Sequence, residues 1–154
     1  MFLFPKQRKF LVMLFVQRIL WRLSYKMSRK SKGINAEREL VHLLWAKGVA
    51  ACRVAGSGSS SFPSPDIVAG TPTRKLAIEC KATSDEIRYI PKESIEQLKV
   101  FAKTFGAESW IGIRFSRNNW LFLSLDDLTD TGNNFSINLE NAKKKGFILD
   151  ELFA

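Results

Sequence analysis

Apolar residues recur every three to four positions at Ala36, Leu40, Leu43, Leu44 and Ala46, with Val41 flanking. That spacing lays one stripe along a helix, capped near Ser31 or Asn35 and stopped at Gly48. Val49 to Val54 reads as a strand, followed by a loop rich in Gly, Ser and Pro over 56–65. Two short apolar runs come next, Asp66–Ala69 and Lys75–Lys81, with Gly70-Thr-Pro-Thr-Arg74 as the turn of a hairpin. Pro91 and Ser94 start a second helix that carries Ile95, Leu98, Phe101, Ala102 and Phe105 on one side and stops at Gly106. Trp110–Phe115 and Trp120–Ser124 are strands separated by the turn Ser116-Arg-Asn-Asn119. After Asp126 the pattern loosens into an acidic turn, a candidate strand over Asn134–Leu139 and an apolar end. The order α-β-β-β-α-β-β predicts an α/β protein, a mixed sheet flanked by helices.

The first 26 residues do not fit that scheme. They hold six basic residues and no acid, around the apolar run Phe10–Val16. The run is too short to span a bilayer, and Gln17 and Arg18 interrupt it with no small-x-small cleavage site nearby. Residues 1–26 are therefore read as a basic, hydrophobic N-terminal extension. The preferred account is a miscalled start, with translation beginning at Met27. A basic amphipathic helix lying on a membrane surface is the second account. Residues 27–154 are taken as one domain, a length that can bury a real core.

The net charge of +9 looks like the mark of a polyanion-binding protein. Most of it comes from the extension, since the rest holds 18 basic against 15 acidic residues. Charge is thus only minor support for a nucleic-acid partner. Cys52 and Cys80 both fall in expected buried strands and read as small apolar residues. His42 is the single histidine and lies mid-helix, where it reads as an ordinary histidine; a multi-histidine metal site and a histidine-dependent triad are excluded.

The chemistry sits in the hairpin. Glu79 and Lys81 are two apart on a strand, so both project to one face. A hairpin through Gly70–Arg74 sets Asp66 beside Glu79. Two carboxylates and an ammonium then converge, the minimum for binding Mg²⁺ and activating a water against a phosphodiester. Glu37 lies on the first helix beside Arg38; helix phase, together with the family resemblance given next, sets it apart from Glu39, which reads as an ordinary solvated glutamate.

Several ordered blocks go further: Lys32-Gly33, Ala36-Glu-Arg-Glu39, Arg53-Val-Ala-Gly-Ser57, Pro65-Asp-Ile-Val-Ala-Gly70, Ile78-Glu-Cys-Lys-Ala-Thr83 and Phe105-Gly106. Together they resemble the archaeal Holliday junction resolvases (Hjc/Hje-like) of the PD-(D/E)xK nuclease superfamily, over about Arg29 to Leu125. The resemblance implies a mixed five-stranded sheet flanked by helices, a restriction-endonuclease-like nuclease core, and a homodimer as the working unit. It implies Mg²⁺, with Mn²⁺ as a substitute, ligated by Asp66, Glu79, the Cys80 backbone carbonyl and Glu37, directly or through water. It assigns Lys81 to the attacking water and the charge growing on phosphorus, and Ser57 to junction cleavage. Arg38 and Arg53 would contact phosphate, and Arg29, Lys30 and Lys32 form a basic lead-in toward DNA. The sequence departs from the family in its extension, in the acids Ser84-Asp-Glu86 near the expected DNA face, and beyond Asp126.

The expected activity is that of an endodeoxyribonuclease that resolves four-way junctions by paired symmetric nicks in recombination and repair. It would act in the cytoplasm, off the membrane. Other readings are a superfamily endonuclease acting on duplex or other branched DNA, a catalytically silent DNA-binding module, and a nuclease anchored by its N-terminal helix.

Overall fold

The stripe of Ala36, Leu40 and Leu44 decides where the first helix packs. All three are buried on α1, the helix over 31–46. The computed structural model describes residues 31–56 and 60–153. The chain divides into two units, Met1–Ile34 and Asn35–Ala154, and the second holds the architecture that follows. The extension 1–26, with both accounts of it, lies outside the described residues.

Eight strands follow α1: β1 Ala50–Arg53, β2 Ile67–Gly70, β3 Lys75–Thr83, β4 Ile87–Pro91, β5 Glu108–Phe115, β6 Leu121–Leu123, β7 Thr129–Asp130 and β8 Asn134–Asn138. Helix α2 spans Lys92–Phe105, α3 Leu139–Lys145 and α4 Leu149–Leu152. Five strands make one sheet in the order β1-β2-β3-β5-β6. The loop over 54–66 links β1 to β2 and a short turn over 71–74 links β2 to β3; both pairs are antiparallel, as are β5 and β6. The link from β3 to β5 contains α2, and such a crossover permits the parallel pairing seen there. The sheet is therefore mixed and five-stranded, as expected.

Alternation along β3 builds a core on each side. Leu76, Ile78 and Cys80 pack with Leu40, Leu44, Ile67, Trp120 and Phe122 beneath α1. Ala77, Ile111 and Ile113 pack with Ile95, Leu98 and Ala102 of α2. Helix α2 stops as its sequence demands: Gly106 takes a left-handed φ of 70°, and Ala107 N–H donates back to the Ala102 carbonyl. Gly112 serves the other face. A Cβ there would meet Ile78 Cγ2 at 3.1 Å, Leu40 Cδ2 at 3.4 Å and Phe122 Cε1 at 3.5 Å, so its absence lets α1 sit close on the sheet. Leu40 is fully buried at this contact. Leu40→Ala should cost about 2–5 kcal/mol in chemical denaturation; a loss well under 1 kcal/mol would show that α1 is not seated here.

Four features differ from the sequence reading. Strand β4 pairs with β8 and β8 with β7 as a separate three-stranded sheet. Only Ile90 of β4 is buried, so the run Ile87-Arg-Tyr-Ile-Pro91 carries little apolar signal. The expected strand ends at Asn138, and α3 begins at Leu139 with the Asn138 side chain accepting from Asn141 N–H as its cap. Cys52 is exposed because β1 is an edge strand and its outward face is uncovered. The expected strand Trp120–Ser124 is only Leu121–Leu123, and Trp120 lies in the core just before it. Among the described residues no helix is long and apolar enough to cross a membrane.

Candidate active site

Strand β3 is nine residues long and β2 only four, so the C-terminal part of β3 runs past its neighbour. The pairing ends at Ile67 opposite Ile78, and one more step in that register sets Asp66 opposite Glu79. The Asp66 carboxylate accepts the Cys80 N–H at 2.8 Å, closing the ladder with a side chain. Its own carbonyl accepts from Val54 N–H at 2.8 Å, which ties the end of β1 to the same spot. Glu79 and Lys81 share a face of β3, as a two-residue spacing requires. Lys81 Nζ donates to Glu79 Oε1 at 2.5 Å, and the two side chains are only 17% and 14% exposed. Such shielding keeps the pair from being screened as a surface pair would be.

Glu37 reaches the same place from α1. Arg53 Nη1 donates to its Oε2 at 3.2 Å, and Glu37 feels the charges of Asp66 and Lys81. Burial pushes its carboxyl above the ordinary value, the Asp66 charge pushes further, and Arg53 opposes both. Glu79 is likewise raised by burial; Lys81 pulls it down, and Asp66 adds like-charge repulsion and, to the protonated form, a hydrogen bond. The Cys80 thiol is pushed well up, first by burial and then by the carboxylates, so it stays a neutral thiol. Four residues assigned from sequence thus share one electrostatic cluster: Glu37, Asp66, Glu79 and Lys81.

The others divide. Arg53 is partly buried and engaged with Glu37. Arg38 is exposed on α1, and Lys32 is exposed in that helix's opening turn. Ser57, Arg29 and Lys30 lie outside the described residues.

Glu39 departs from its reading as a solvated glutamate. Arg114 Nη1 donates to both of its oxygens, and Trp120 Nε1 donates to Oε1 at 3.1 Å. The Arg114 guanidinium also lies 5.5 Å from the Trp120 ring centre. The pair is partly exposed and worth little as an ion pair. Its consequence is geometric, because it fixes the rotation of α1 against β5 two residues from Glu37. No local signal pointed to it, since the partners are 75 and 81 residues away.

The donor set suits a hard divalent cation, being all carboxylate oxygen. Among the described residues no three His, Cys, Asp or Glu side chains stand ready-made as a ligand cluster. Each carboxylate is instead held by a neighbour: Glu37 by Arg53, Asp66 by the Cys80 amide and Glu79 by Lys81. Burial first and the Asp66 charge second raise Glu37 and Glu79, and a bound cation would offset both penalties, so the residues fit a metal.

Comparison with known proteins extends the geometry. The family described as archaeal Holliday junction resolvase (Hjc) matches residues 28–154. The crossover junction endodeoxyribonuclease Hjc of Archaeoglobus fulgidus is 43% identical over 131 residues, covering 80% of this chain and 96% of that protein. Its counterpart from Sulfolobus acidocaldarius is 37% identical over 129 residues, covering 82% and 89%. The solved structure of Archaeoglobus fulgidus Hjc, a Holliday junction resolvase, superposes with a TM-score of 0.73 at 41% identity, over 76% of this chain and 94% of that one. The mixed sheet is thus the restriction-endonuclease-like core of these nucleases, and it carries the acidic cluster at the end of β2 and β3. By fold, sequence and length of match, this chain belongs to the archaeal Holliday junction resolvase (Hjc) family.

Proposed function

We propose that the protein is a divalent-metal-dependent endonuclease that resolves four-way DNA junctions by paired symmetric nicks in recombination and repair. The observation that carries this reading is the convergence of Glu37, Asp66, Glu79 and Lys81 at the open end of β2 and β3 in a chain of this family. Asp66 and Glu79, with the Cys80 carbonyl, would hold Mg²⁺ or, in its place, Mn²⁺, and Glu37 would hold it directly or through water. Bound metal supplies neutralisation of the scissile phosphate and a more acidic water. Lys81 is the cation paired with Glu79 inside the acidic cluster. It orients the attacking water and offsets the charge that builds on phosphorus as the bond to the leaving oxygen breaks.

Around this centre Arg38 and Arg53 are assigned to phosphate, with Arg53 holding Glu37 until DNA arrives. Arg29, Lys30 and Lys32 would extend the basic track, and Ser57 would act in cleavage from the loop that returns at Asp66. Residues 27–154 are taken as the nuclease domain and 1–26 as an extension. We assign its work to the cytoplasm, with the DNA. A four-way junction has two-fold pseudosymmetry, which a C₂ homodimer matches with two identical sites. Val100 and Phe105 on α2, 53% and 47% exposed, are apolar surface that a second copy would cover.

The test compares a mobile four-way junction with a linear duplex of the same sequence, each with Mg²⁺ or EDTA. Symmetric paired nicks in the junction only, and only with metal, are expected. Equal cutting of the duplex would point to another PD-(D/E)xK endonuclease, and binding with no cutting would point to a silent module. Sedimentation tests the dimer: a monomer that still makes both nicks would sink it.

A further inference from the structure

Phe62 is 80% exposed, the largest exposure among the large apolar residues described. Fully hiding a phenylalanine is worth about 2–3 kcal/mol, so leaving it in water needs a reason. The surrounding backbone is not loose. Phe62 N–H donates to Ser60 Oγ at 3.1 Å, Ser64 Oγ donates to the Phe62 carbonyl at 3.3 Å, and Pro63 and Pro65 stiffen the chain that follows it, with Pro65 buried. The segment returns to the sheet at Asp66, whose carbonyl is tied to Val54 N–H. The ring is thus presented on a braced support rather than left on a free tip.

Its position gives it a partner. Phe62 is four residues before Asp66, so the two Cα atoms are at most about 14 Å apart even along a fully extended chain. Successive nucleotides on one strand of duplex are about 3.4 Å apart. A phosphate held at the carboxylates therefore leaves Phe62 within about four nucleotides of the cut. At the centre of a four-way junction the strands exchange and base pairs are open to unstacking, which intact duplex does not offer at similar cost. An exposed ring offers any base a stacking face without reading its identity.

Resting on the junction reading above, we infer that Phe62 stacks on an unstacked nucleobase at the branch point and so helps select junctions over duplex. Opening the stack costs less at the branch point than in intact duplex, and the ring captures the base as it leaves its neighbours.

The experiment uses the full chain and a junction carrying 2-aminopurine at the branch point, with Ca²⁺ for binding and Mg²⁺ for cleavage. Wild-type protein should raise 2-aminopurine fluorescence on binding, as the base leaves its neighbours. Phe62→Ala should lose that rise and lower junction affinity or cleavage about tenfold, the effect expected of one lost base–aromatic stack. Phe62→Tyr should restore both, and Phe62→Leu, which keeps bulk without a ring face, should remain impaired. An F62A chain that cuts and lights up like the wild type would overturn the inference, as would full activity in F62L. Failure of the wild-type chain to cut the junction at all would instead overturn the proposed function, and the fluorescence rise reports the base leaving its neighbours independently of cutting. Phe62 is exposed, so none of these substitutions removes a core contact.

Discussion

Glu79→Gln should lower junction cleavage by about 10³-fold while junction binding stays close to wild type. The direction follows from what Glu79 is in this fold. Its carboxylate is shielded, and burial and Asp66 both disfavour its charge. Such a charge is kept at a cost in stability, which is reasonable where a cation is to be bound. Glutamine has the same shape and can still accept from Lys81 Nζ, so the Lys81 side chain keeps a partner. A neutral oxygen is a much weaker ligand, and loss of a metal's charge stabilisation is worth several kcal/mol, each 1.36 kcal/mol being tenfold in rate. Folding stability should be unchanged or higher, by up to about 1 kcal/mol, because a disfavoured charge is gone. Thermal unfolding with and without Mg²⁺ gives the matching readout: wild type should gain stability from the metal and E79Q should gain little. An E79Q chain that cuts at near wild-type rate would overturn the site assignment.

The sequence carried the two local periodicities and little of what joins distant segments. Of the 3.6-residue stripe, Ala36, Leu40 and Leu44 are in the core, whereas Leu43 and Ala46 at its margin are exposed. The Asp66 and Glu79 juxtaposition was legible because a five-residue turn leaves one register, and β2 and β3 take it. Strand β4 was not legible, because it buries one residue and relies on β8, over forty positions on in the chain. Cys52 was misread for a related reason: strand pattern shows that a face exists, and only topology shows that β1 is an edge with that face uncovered. Glu39 looked like any helix-surface acid until the sheet brought Arg114 and Trp120 to it. Phe62, in a loop with no period at all, could be placed neither in the core nor at the surface before the fold was known.

Lys81→Met should lower cleavage by about 10²–10³-fold and also move the acid limit of metal binding to higher pH. Lys81 is the cation that pulls Glu79 down, by its charge and by its hydrogen bond, and it pulls on Glu37 by charge. Removing it leaves burial and Asp66 unopposed at Glu79, so both raised carboxyls rise further. A protonated carboxyl cannot ligate, and binding must release its proton, so as pH falls the variant should lose metal sooner than wild type. The stability sign runs the other way. A carboxyl raised in the folded state favours folding below its unfolded value and loses that contribution as pH rises through the folded value. The metal-free variant should therefore be less stable than wild type at neutral pH, by about 2–4 kcal/mol for a shielded charge without its partner, and should recover on acidification. Mg²⁺ at neutral pH should return part of that stability, since the cation replaces the lost ammonium as a counter-charge. Calorimetric titration of metal across pH, with thermal unfolding at each point, separates the two effects. Parallel pH curves for K81M and wild type would mean that Lys81 is only a strand-end lysine. An upward shift with cleavage unimpaired would leave it a counter-charge to Glu79 with no part in the reaction.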